Sequence, residues 1–298
     1  MTTFLQLLAS GLALGSVYAL VALGFVVIYR ASAVFNFAQG EFLTVGAFVM
    51  VGLCQAGVPW GLALILTMGI TGLLGAGVER VFLRPLIGRP VFVTIIVTIF
   101  VGFLIRAMAL IIWGTDTRGM PTPWEATASV EYGGVNVLVN SLATVVGGFM
   151  AVAAFFAVIR YTRFGVAMRA TASDQETALA VGIPVGRVFA STWFIAGAFA
   201  ALGGICLCLF PRSVDIHVGF VALRAFPAVI VGGLDSVGGT VLAGLLLGVL
   251  EVMAQGYLNQ HLGQFGHNFH AVAPYLVMIA FLVVRPYGLF GTAEVERV

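Results

Sequence analysis

The chain alternates long uncharged apolar runs with short polar linkers. Leu5 to Tyr29 is uncharged for 25 residues and predicts one membrane-spanning helix. Phe42 to Val78 is uncharged for 37 residues, but Gly57-Val58-Pro59 divides it into two helices joined by a tight turn. The first of these, 41–56, is short for a full crossing. Val91 to Trp113 predicts another span, with Arg106 inside it. Further spans are expected within Tyr132–Ile159, Val188–Phe210, Val237–Leu250 and Ala271–Val284. Ala225 to Leu234 is a half-length piece, since ten residues at about 1.5 Å each cover about half a bilayer. The pattern predicts an all-α, polytopic transmembrane helical bundle of about eight or nine spans, some short or broken. It forms a single membrane domain over 1–298.

Composition supports this and narrows the chemistry. Hydrophobic residues make up 61% of the chain and charged residues 9%, against about 25% charged in soluble domains. Mean hydropathy is +1.10, so lipid is the expected solvent. All 14 basic residues are Arg. Without Lys the chain cannot build a P-loop for nucleotide phosphates or a Schiff base. The net charge of +2 points to no particular partner, and nothing suggests nucleic acid. Cys54, Cys206 and Cys208 sit in apolar segments without the companions of a metal site, and read as packing residues. The start of the chain lacks a basic n-region and does not resemble a cleaved signal. H-E-x-x-H and G-x-S-x-G motifs are absent, which argues against an enzyme.

Arginine placement suggests orientation. Linkers 79–90 and 160–187 and the tail, with Arg285 and Arg297, are the basic ones and are expected on the cytoplasmic side. Linker 114–131, with Asp116, Arg118, Glu125 and Glu131, is expected outside, as is the N-terminus.

Loop 160–187 is the most informative linker. Ser173 followed by Glu176 reads as a capping box, and Asp174 and Glu176 suit the positive end of a helix dipole. Gly182 suits a left-handed C-terminal cap and Pro184 forbids continuation. The expected product is a two-turn helix over 174–181, displaying Ala178, Leu179, Ala180 and Val181. A short capped helix with an apolar surface outside the membrane suits docking into a groove on a soluble partner.

Two interruptions suggest a solute path. One is Phe35-Asn36-Phe37-Ala38-Gln39-Gly40-Glu41; the other is Gly232-Gly233-Leu234-Asp235-Ser236-Val237-Gly238-Gly239. Broken backbone beside half-length helices often lines cavities in transporters. Arg106 is expected to snorkel towards the outer interface, and Glu79 and Glu251 to sit at interfaces. The trio His261, His267 and His270 reads as a polar outer loop rather than a metal site. Finally, Gly72–Glu79 echoes Gly244–Glu251, the two glutamates falling on opposite sides, as an inverted repeat would require.

Taken in order and spacing, several segments resemble the membrane permeases of branched-chain amino acid ABC importers (the hydrophobic amino acid uptake family). They are Gly11–Gly24, Asn36-Phe37-Ala38-Gln39-Gly40-Glu41, Glu79-Arg80 with Arg84-Pro85-Leu86, Ala225–Glu251, and Arg285-Pro286-Tyr287-Gly288-Leu289-Phe290. Glu176-Thr177-Ala178 with Gly182 is similar to the Glu-Ala-Ala-x-x-x-Gly loop of ABC importer permeases. The resemblance implies a non-enzymatic permease subunit in the bacterial inner membrane. Residues Ser173, Asp174, Glu176, Thr177, Ala178 and Gly182 would form its ATPase-coupling helix. Asn36, Gln39, Gly40, Glu41, Gly232, Gly233 and Asp235 would line its translocation path. It further implies two cytoplasmic ATPases holding ATP and Mg²⁺, a second related permease, and an extracytoplasmic binding protein, with no cofactor on this chain. The solute would be a branched-chain or related amino acid, an amide, a urea-type solute or an aromatic acid. Gln39, Asp235, Gly238 and Arg106 depart from the family pattern. The alternatives are an ion-coupled secondary transporter, using an acid such as Glu41, Asp235 or Glu251, and a passive channel.

Overall fold

A computed structural model describes residues 2–209, 211–258 and 268–291. The apolar runs form helices α1 (Thr2–Ser32), α2 (Gln39–Gln55), α3 (Trp60–Val78), α4 (Val91–Trp113) and α5 (Val139–Tyr161). There follow α6 (Arg163–Ser173), α7 (Gln175–Ala180), α8 (Val185–Leu207), α9 (Val221–Gly232), α10 (Val237–Met253) and α11 (Phe269–Val284). Six helical stretches are long and apolar enough to cross a membrane; α2, α9 and α11 are shorter. The chain is a multi-pass helical membrane protein.

The tight turn at Gly57 appears where expected, with φ +85°. Three boundaries differ from the sequence reading. Helix α5 begins at Val139 rather than near Tyr132, because Ser129–Tyr132 and Val135–Leu138 pair as an antiparallel hairpin, β1 and β2. A 3-10 turn, Val218–Phe220, extends the half-helix α9 backwards. The third difference is α6, an eleven-residue helix in what reads by sequence as loop. Its buried positions, Gly165, Met168 and Thr171, recur every three residues. That weak stripe is masked by flanking arginines.

Helices α1 and α8 form the centre. The most apolar windows of α1 and α8 are 83% and 78% buried, against 33%, 28% and 22% for α3, α4 and α5. The last three are therefore peripheral, and most of their apolar surface is left uncovered by this chain. Helix α10 crosses α1 where Gly248 meets the backbone of Gly15, and α3 crosses α8 where Gly75 and Gly197 meet backbone of the opposite helix. A side chain at these crossings would hold the axes apart. Further, α1 carries α9 and α10 while α8 carries α2 and α3. The echoing segments of α3 and α10 thus pack on different central helices, α8 and α1.

The two ends of the bundle differ. The start of α1 lies beside the hairpin, with Thr2 near Gly134, and its end packs on α7 through Ala31 and Ala178. We call these the hairpin end and the Arg-rich end. Linkers 79–90 and 160–187 and Arg285 belong to the latter.

Candidate functional site

At the Arg-rich end, α7 is held by local chemistry. Asp174 adopts an extended φ/ψ of −162°/115° and is its N-cap. Its Oδ1 accepts the Glu176 and Thr177 backbone N–H groups at 2.9 and 3.0 Å, and its Oδ2 accepts the Thr177 hydroxyl at 2.8 Å. The Thr177 backbone bond, the Thr177 hydroxyl bond and the Glu176 backbone bond hold the Asp174 carboxyl below the usual range. This corrects the expected capping box. Ser173 ends α6, so it is already helical and cannot cap the next helix. Gly182 does take the left-handed region, φ +85°, and the Ile183 N–H donates to Ala178 O at 2.9 Å. Ala178 is buried against Ala31, Val185 and Phe189 of α1 and α8, so it faces its own bundle rather than outwards. Leu179 and Val181 remain 58% and 69% exposed.

The second assembly is the break between α1 and α2. Thr98 and Asn36 stabilise its backbone. Asn36 Oδ1 accepts the Ala38 N–H at 3.0 Å, and Thr98 Oγ1 accepts the Phe37 N–H at 3.3 Å. Asn36 Nδ2 donates to Gln39 Oε1, and Gln39 Nε2 donates to Ala196 O at 3.1 Å. Asn36 and Gln39 are fully buried and brace the break against α8. Their side chains thus serve the backbone of the break and each other. Gly40 then abuts Gly219. A Cβ on Gly40 would lie 2.3 Å from Gly219 O, and one on Gly219 would lie 2.6 Å from Gly40 O. Half-helices α2 and α9 therefore meet start to start, within the depth of the bundle.

Beside this contact lie charges that the sequence reading did not bring together. Arg106 Nη1 is 3.7 Å from Glu41 Oε1. Arg106 Nη2 donates to Ile216 O at 3.2 Å and lies 3.0 Å from His217 Nδ1, with the guanidinium 4.3 Å from the Phe220 ring centre. Arg106 thus turns inwards instead of snorkelling. A guanidinium in an apolar span needs a partner, and Glu41 immediately precedes the uncharged 37-residue run Phe42–Val78. Two opposite charges in separate apolar runs were the available signal.

Glu79 and Glu251, near the ends of α3 and α10, are also buried within the bundle. Glu79 is paired with Arg84 at 2.9 Å, and Arg84 Nη2 also donates to Gly186 O at 2.6 Å. Glu251 Oε2 accepts the Tyr18 hydroxyl at 2.5 Å, and Glu251 Oε1 lies 3.6 Å from Arg224. The glycine-rich turn after α9 packs on the tail. Gly233 has φ +102° and abuts Gly291, while the Leu289 N–H donates to Val231 O. Gly232 and Gly233 are thus packing positions. Asp235 opens onto a cavity of about 900 Å³ at the Arg-rich end, shared with Arg30, Arg169, Tyr29, Phe226 and Tyr287. At the hairpin end a cavity of about 480 Å³ contains Asn140, Arg212, Arg224, Glu251 and His270. His261 and His267 lie outside the described residues; among the described residues no group of three potential metal ligands occurs.

Comparison with known proteins shows the family to which this sequence belongs. The family model described as branched-chain amino acid transport system / permease component matches residues 7–282. The high-affinity branched-chain amino acid transport system permease protein LivH of Escherichia coli K12 is 30% identical, over 99% of this chain and 98% of that protein. The corresponding permease protein BraD of Pseudomonas aeruginosa is 29% identical over the same shares. A probable LivH of Methanocaldococcus jannaschii is 26% identical over 91% of this chain and 88% of that protein. No solved structure matches. The chain belongs to the family of permease components of branched-chain amino acid transport systems.

Proposed function

We propose that this chain is the membrane permease subunit of an ATP-driven importer for branched-chain or closely related amino acids. Its place is the bacterial inner membrane, with the Arg-rich end in the cytoplasm. Two cytoplasmic ATPases, holding ATP and Mg²⁺, dock on α7, and a second related permease completes the channel. An extracytoplasmic binding protein delivers the solute to the hairpin end.

The observation that carries this reading is the double attachment of α7. Its exposed edge, Leu179 and Val181, is free for a partner, while Ala178 is locked onto the ends of α1 and α8. These are the two central helices. A push or rotation of α7 therefore reaches α1, then the break at 33–38, then the Gly40–Gly219 contact where α2 and α9 meet. Parting that contact would open the bundle on alternate sides.

Two substitutions test the coupling. Glu176→Pro removes an N–H that Asp174 accepts, and Gly182→Val forces a β-branched residue into positive φ. Both variants are expected to insert normally and to hydrolyse ATP in the assembled complex, with uptake lost. Normal uptake by both would refute the coupling role of α7. Recovery of the tagged chain without any ATPase, but with full transport after reconstitution, would refute the importer reading itself.

A further inference from the structure

The charged cluster beside the half-helix contact is open rather than sealed. Arg106 lies seven residues before Trp113, about 10 Å along α4 from its end. Its side chain is 21% exposed and that of Glu41 13%. His217 is exposed, and Phe220 is half exposed beside it. Hydrocarbon is a poor neighbour for a guanidinium at this depth, so this face of α9 meets water or protein. Its bonding is also incomplete. The Glu41–Arg106 separation of 3.7 Å is too long for a hydrogen bond. The other Glu41 oxygen, Oε2, is buried and accepts no hydrogen bond among the described residues. Among the described residues Arg106 Nη1 makes that loose contact alone, because Ile216 O and His217 engage Nη2.

We propose that Glu41, Arg106 and His217 form a binding station for an α-amino acid zwitterion on the translocation face. This rests on the reading of the chain as an amino acid permease. Arg106 Nη1 takes the carboxylate. His217 assists, because an imidazole whose Nδ1 accepts from Arg106 carries its proton on Nε2, as a donor. The Glu41 carboxylate takes the ammonium, its Oε2 turning out of the buried position it holds in the structure to gain the bond it lacks there. The exposed ring of Phe220 packs on the apolar side chain. A zwitterion inserted in this way replaces one stretched ion pair by two close ones, and no net charge enters the membrane.

The test uses the whole transporter, reconstituted with its co-purified subunits. Leu223→Cys, one turn beyond Phe220 and half exposed, is made in a chain whose Cys54, Cys206 and Cys208 are replaced by Ala. An anionic and a cationic methanethiosulfonate reagent are compared at the new thiol. The anionic reagent is expected to react about tenfold faster, drawn by Arg106 and Arg224. Leucine is expected to slow the reaction, whereas leucinamide, lacking the carboxylate, and N-acetyl-leucine, lacking the ammonium, leave it unchanged. Arg106→Gln is expected to weaken leucine protection about tenfold to a hundredfold, with partial rescue by Arg106→Lys; Glu41→Gln is expected to weaken it independently. An unreactive thiol, equal protection by leucine and leucinamide, or protection unchanged in both charge variants would overturn the station. Leucine uptake by the unmutated complex is measured in the same vesicles. Its absence overturns the amino acid reading, whereas uptake without protection overturns only the station.

Discussion

Gly40→Ala probes the meeting of α2 and α9 directly. The added methyl carbon would lie 2.3 Å from Gly219 O and 3.1 Å from Gly219 C, where real Cβ atoms keep at least 3.0 Å. The obstacle is backbone on both sides, so no side chain can swing away. The two half-helices must part by most of an ångström, or the Gln39 and Asn36 bonds that fix the start of α2 must yield. Overpacking of this kind costs about 1–3 kcal/mol, which lowers the melting midpoint by roughly 2–5 °C in a chain of this size. Gly77→Ala in α3 is the control, because a Cβ there meets nothing within 4 Å. Both variants would be melted in the same detergent and assayed for uptake in vesicles. Gly40→Ala is expected to melt lower and to transport poorly, and Gly219→Ala to behave alike. A Gly40→Ala protein that melts with the Gly77→Ala control and transports normally would refute the close half-helix contact.

Two further outcomes are expected. Arg84→Ala leaves the buried Glu79 carboxylate without its partner and detaches Gly186 at the start of α8. The cost is about 2–3 kcal/mol, less than for a wholly buried pair because Arg84 is one-third exposed; a melting midpoint unchanged in detergent would count against it. The depressed Asp174 carboxyl stabilises the folded loop above the ordinary carboxylate range, and that support is lost as pH falls through the lowered value. Amide exchange in 174–181 should therefore accelerate on acidification, and Asp174→Asn should remove most of that dependence. Exchange insensitive to pH in the unmutated chain, once corrected for intrinsic rates, would show that Asp174 is not the cap.

Local chemistry wrote most of the helices into the sequence. A backbone in lipid must satisfy its own hydrogen bonds, so a long apolar run such as Val91–Trp113, even with Arg106 inside it, has one stable outcome, and α4 has those limits. Gly57 and Gly182 were equally legible, because their left-handed backbone favours glycine whatever lies nearby. The resemblance drawn from ordered motifs belongs with these, since it reads only order along the chain. Elsewhere the local reading erred. Ser173 satisfies the capping-box pattern, but α6 claims it, and Asp174 takes its place. Arg106 is near enough to an interface to snorkel, yet Glu41, 65 positions away in sequence, holds it inwards. Asn36 and Gln39 were legible as polar residues at a break, but not that the Ala38 N–H and Ala196 O would engage their side chains. Helix formation is decided over a few residues by backbone bonding and apolar burial. Which polar group meets which is decided by helices packed from distant parts of the chain, and only the tertiary structure fixes that.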